Sequence, residues 1–71
     1  NLRGINVPVK KGTTRQDVIF REEEATAEYS LVVQPSWLSR SAVVTKRKDG
    51  FTVIFDIAPE EDSTIDWLMV R

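Results

Sequence analysis

"KRKDGFTVIFDI", residues 46–57, is the stretch on which the fold turns. A basic triplet, Lys46-Arg47-Lys48, runs into Asp49-Gly50 and then into an alternating apolar segment. Asp-Gly before such an alternation is a strong hairpin signal, because a type I′ turn needs φ > 0 at both central positions. Glycine adopts that conformation without steric cost, and aspartate tolerates it. In the segment that follows, Phe51, Val53, Phe55 and Ile57 share one face, and Thr52, Ile54 and Asp56 share the other. The first set is expected to be core. Ser41–Lys46 (SAVVTK), rich in β-branched residues, is the preceding strand. The basic triplet therefore reads as the solvated end of a hairpin rather than as a phosphate or sulfate contact.

Working outward, Ala58–Ser63 (APEEDS) is an acidic turn, and Thr64–Val70 is a closing strand with Ile65, Trp67 and Met69 opposite Asp66, Leu68 and Val70. On the other side, Glu28–Gln34 (EYSLVVQ) sets Tyr29, Leu31 and Val33 against Ser30, Val32 and Gln34. Pro35 ends that ladder, and the connection after it carries Trp37. "REEEATAEYS", residues 21–30, has fair helix propensity but no apolar stripe at helical spacing, so a solvated loop is expected. Asp17–Phe20 is a short strand after a turn over Lys10–Thr14. Ile5–Val9 alternates too, but Pro8 has no N–H to donate, which restricts residues 1–12 to an edge strand or an extended arm. Residues 13–71 then make one domain, an all-β, small antiparallel β-sandwich of about six short strands.

Composition narrows the function classes. The chain has 71 residues, ten basic and eleven acidic, for a net charge of −1, with neither Cys nor His. Disulfides, Cys/His zinc sites and catalysis by imidazole or thiolate are excluded. No enzyme activity, metal or cofactor is expected. A nucleic-acid partner is not expected either, since the chain lacks the basic excess such binding uses. The longest apolar run, Trp67–Val70, is far too short for a transmembrane helix or a signal-peptide core, so membrane insertion is not expected. The clusters Glu22-Glu23-Glu24 and Glu60-Glu61-Asp62 lack the spacing of a calcium loop and read as solvated turns. The chain opens on Asn1 and ends on Arg71 directly after an apolar run, which reads as a domain cut from something longer.

Size points to assembly. A domain this small has a core that supplies roughly 3–5 kcal/mol, and with disulfides and metals excluded, oligomerisation is the remaining support. The closing strand is apolar on both faces, so Leu68 and Val70 are expected to meet a neighbouring copy, with Val7 and Val9 of the N-terminal arm lying against the same neighbour. A second candidate surface is a flat aromatic platform beside hydrogen bonders: Trp37 with Arg40 and Tyr29, suited to a cell-surface glycan.

The span from about Thr14 to Arg71 resembles the small β-sandwich repeats of phage tail-fibre and other virion- or cell-surface proteins. The stretches that carry the resemblance are "DVIF", "AEYSLVVQPSWL", "VTKRKDGFTVIF" and "APEEDSTIDWLMVR". Within them Tyr29, Pro35, Trp37, Lys46, Gly50, Phe51, Ala58, Pro59, Asp66, Trp67 and Arg71 match the outline. More distantly, Gly50–Val53 and Ile65–Met69 are similar to two strands of the H-type lectin domain, a six-stranded sandwich that forms trimers and binds N-acetylgalactosamine-like sugars. The resemblance implies a non-catalytic module at a virion or extracellular surface, a trimer that decorates or tips a fibre. The alternative it implies is a lectin-like carbohydrate-binding domain, free or attached to a glycan-degrading enzyme.

Overall fold

The computed structural model describes residues 2–70 and is all-β. Its six strands are β1 (Arg3–Val9), β2 (Arg15–Ile19), β3 (Ser30–Pro35), β4 (Ser41–Arg47), β5 (Gly50–Phe55) and β6 (Ser63–Val70). They form two three-stranded antiparallel sheets, β1-β6-β3 and β2-β5-β4, packed together as a small β-sandwich. Only β4 and β5 are joined as a hairpin within one sheet; every other connection crosses between sheets. The Glu-rich stretch 21–28 is a loop without helix.

The central strands β5 and β6 are the most deeply buried. Phe51, Val53 and Phe55 from β5 face Ile65, Trp67 and Met69 from β6, all within the core. Val9, Val18, Phe20 and Tyr29 complete it. At one end Phe20, Tyr29, Phe51 and Trp67 make a tilted and edge-to-face aromatic cluster with centroids 5.3–6.0 Å apart. Such pairs contribute about 0.5–1.5 kcal/mol each beyond area burial. At the other end Trp37 packs edge-on against Phe55 at 4.7 Å. Ile57, expected in the core, is exposed instead, because β5 stops at Phe55 and the chain turns away.

The hairpin forms where expected but not by the expected turn. Its two loop residues are Lys48 and Asp49, and Gly50 is already in β5, paired with Arg47. Among the described residues only Asn6 and Gly12 have positive φ, so the turn is not type I′. Gly50 is required for another reason: a Cβ there would run into the Val18 carbonyl oxygen of β2.

The N-terminal segment takes the edge-strand form, one of the two expected for it. Residues 3–9 form an edge strand of the chain's own first sheet. Pro8 is accommodated there as an edge position permits. The register slips between Gly4 and Val7, a bulge in which Asn6 takes φ 56° and its N–H donates to Asp66 Oδ1 at 2.8 Å. The extra residue sends Ile5 outward while Val7 and Val9 turn inward. Val9 is 1% exposed, and Val7 packs against the core. Val9 therefore has no surface to offer a neighbour, whereas Val7, half-buried, keeps part of its side chain exposed.

Candidate functional site

The outer face of the β1-β6-β3 sheet is the first candidate. Alternation along β6 puts Asp66, Leu68 and Val70 on the side away from the core. Val32 of β3 lies directly opposite Leu68, Ser30 opposite Val70, and Arg3 of β1 meets Leu68 from the other side. The bulge brings Ile5 to the same face. Ile5 (59% exposed), Val32 (60%), Leu68 (38%) and Val70 (41%) thus leave one sheet face largely apolar. A shallow groove of about 340 Å³ crosses it, lined by Arg3, Ile5, Val32, Gln34, Asp66 and Leu68 among others. Leu68 and Val70 stand where the sequence places them. Ile5 and Val32 were not singled out by sequence reasoning. Val32 shares a face with Ser30 and Gln34, which reads as solvated, and the bulge that turns Ile5 outward leaves no trace in the local pattern.

The second candidate is at the end of the sandwich formed by the β1–β2, β3–β4 and β5–β6 connections. There Lys11 N–H donates to Asp62 Oδ1 at 2.9 Å, and Gly12 N–H to the Pro59 carbonyl at 3.0 Å, clamping two connections together. An open groove of about 730 Å³ lies between the other pair, with Trp37, Leu38, Ile57 and Ala58 as its apolar part and Glu60, Glu61, Asp62, Ser36, Ser63 and Thr64 as its polar part. Trp37 is half-buried on Phe55, and its indole N–H donates to the Ile57 carbonyl at 2.7 Å. That donor is occupied by the fold itself.

Beside this groove, Asp56 gathers the β3–β4 connection. It accepts from the Arg40 backbone N–H (2.8 Å) and from Arg40 Nε (2.8 Å), with the Ser39 hydroxyl at 3.0 Å. The Arg40 side-chain hydrogen bond, then its backbone N–H and Ser39, hold the Asp56 carboxyl below the usual carboxylate range. Asp56 and Asp62 are thus both committed to structural contacts, and among the described residues no three of His, Cys, Asp or Glu converge to hold a metal ion.

The three residues expected to share a sugar site do not meet. Trp37 and Arg40 follow the C-terminal end of β3. Tyr29 precedes its first residue, at the opposite end of the sandwich, and is buried. Its hydroxyl lies 2.7 Å from both the Arg47 and Gly50 carbonyl oxygens, bracing the β4–β5 hairpin. Burial pushes its pKa above the ordinary tyrosine value. Tyr29 is a structural brace and not a ligand contact.

The basic triplet is largely accounted for within the chain. Lys46 Nζ donates to the Tyr29 carbonyl at 2.7 Å. Arg47 donates to Asp49 (3.3 Å) and to the Thr52 hydroxyl (3.1 Å), which itself donates to Asp17 at 2.6 Å. Thr52, expected on the solvated side of β5, is buried within that network. No family model, curated protein or solved structure matches the chain. No helix of the described residues is long and apolar enough to cross a membrane.

Proposed function

We propose that this chain is a non-catalytic assembly module of a virion or cell surface, joined to further copies of itself through the β1-β6-β3 sheet. The observation that carries this reading is the apolar outer face made by Ile5, Val32, Leu68 and Val70. Contiguous apolar surface on a small domain marks an interaction site, and a domain this size gains stability from covering it. The virion or cell-surface setting is supported by the resemblance of Thr14–Arg71 to tail-fibre and lectin-like sandwiches. Sedimentation equilibrium at micromolar concentration tests the assembly. The expected result is a mass of more than one copy that falls to one copy in Val32→Lys, with the β-sheet circular dichroism unchanged. A single-copy mass for the unaltered chain removes the reading.

A second reading, glycan binding, is favoured by the groove at the loop end, where an aromatic side chain sits among hydroxyls and carboxylates. Its contacts would come from Trp37 and the groove's own polar residues, without Tyr29. Glycan-array binding that Glu61→Gln weakens supports it; an array without signal ends it.

A further inference from the structure

β3 is an edge strand of its sheet, and its hydrogen-bonding pattern is self-complementary. Ser36 N–H donates to the Thr64 carbonyl of β6 at 2.9 Å. Successive amides of a strand point to opposite sides, so Gln34, Val32 and Ser30 also face β6. The backbone groups of Leu31, Val33 and Pro35, and the Tyr29 carbonyl, face the free side. The other edges are interrupted or charged: β1 carries Pro8 and a bulge, β4 a bulge at Val44, and β2 has Arg15 and Asp17. Such features guard edges against pairing. β3 runs Ser30–Pro35 in unbroken register and without a charged residue, and its own proline, Pro35, stands at the last position.

We propose that two copies of this chain pair antiparallel along their β3 edges, with Leu31 opposite Val33 of the second copy and the twofold axis at Val32. This rests on the assembly reading above and narrows it to one seam, at which Val32 is covered while Ile5, Leu68 and Val70, on the strands beyond, stay at the surface. In this register Leu31 and Val33 exchange N–H···O=C bonds with Val33 and Leu31 of the second copy, as an isologous contact requires. The next pair outward is Tyr29 against Pro35. Pro35 has no N–H to give, and the Tyr29 carbonyl that would need it already accepts from Lys46 Nζ at 2.7 Å. The two exceptions thus fall opposite each other, and no carbonyl is stranded. The Val32 side chains meet across the axis at a closely spaced pair, and the two apolar outer faces join into one six-stranded sheet.

The test combines amide hydrogen exchange with sedimentation, on the unaltered chain, on Val32→Lys and on a synthetic chain N-methylated at the Val33 amide. The methyl removes an N–H that β6 does not use, so the single-copy fold is retained. The expected result is a two-copy mass, Leu31 and Val33 amides whose exchange slows as concentration rises, and loss of the two-copy species in both altered chains. A three-copy mass, or a dimer that survives N-methylation with the Leu31 amide exchanging freely, overturns the edge pairing and leaves the assembly reading in place. A single-copy mass at every concentration overturns both.

Discussion

Tyr29 ties the start of β3 to the tip of the opposite sheet's hairpin, through a hydroxyl shared by two carbonyl oxygens. Tyr29→Phe keeps the ring contact with Phe20 but removes the hydroxyl that braces those carbonyls, and is expected to cost about 0.5–1.5 kcal/mol in urea unfolding. Because burial raises the Tyr29 pKa, its contribution is complete below the unfolded value of about 10 and is lost as pH rises through the folded value. Tyr29→Phe should remove that alkaline limb. Asn6 is the other decisive residue. Its left-handed backbone is answered by Asp66, sixty positions away, so nothing near it in the sequence announces the bulge. Asn6→Val is expected to destabilise by about 1–2 kcal/mol, whereas Asn6→Gly stays close to neutral; denaturant midpoints separate them. Gly50 shows the same limit from the other side. It was legible as a required glycine, but the requirement comes from the Val18 carbonyl and not from the turn.

At the scale of elements, the central strands were the readable ones. β5 and β6 are flanked on both sides, so the pleat alone decides which side chains face the core, and Phe51, Val53, Phe55, Ile65, Trp67 and Met69 follow the alternation. Edge strands answer to fewer neighbours and admit bulges, which is why the inward turn of Val7 and Val9 was missed. The connections depend on contacts between loops distant in sequence, so the candidate sugar site was legible only as Trp37 beside Arg40, and its true lining was not. The β3–β4 connection, held by Asp56, yields a pH prediction. A carboxyl with a lowered pKa stabilises the fold above its unfolded value, and that stability is lost as pH falls through the folded one. Asp56→Asn should therefore lower stability at neutral pH and flatten the acid limb below about pH 4, measured by thermal melts across pH.

For the whole molecule, the balance is between a compact core and one uncovered sheet face. The sandwich was legible because each strand carries its own period-two pattern. Which face remains open was legible only in part, since it depends on a bulge and on strand order. Association links stability to concentration. The melting temperature is expected to rise with protein concentration, by roughly 4–8 °C for each kcal/mol of linkage in a chain of this size, and differential scanning calorimetry over a concentration series reads it directly. Val32→Lys should melt at the same temperature throughout the series.

The pairing of Arg3 with Leu68, extended by the Met69 N–H on the Leu2 carbonyl at 2.8 Å, has a mechanical consequence. The first and last strands are antiparallel neighbours, so chain attached at the two ends leaves from the same corner. Tension applied there opens the ladder one rung at a time, like a zipper, instead of loading all rungs together in shear. Strung in line along a tether, the domain would yield at low force; hung as a side branch from a single insertion point, it would carry no load at all.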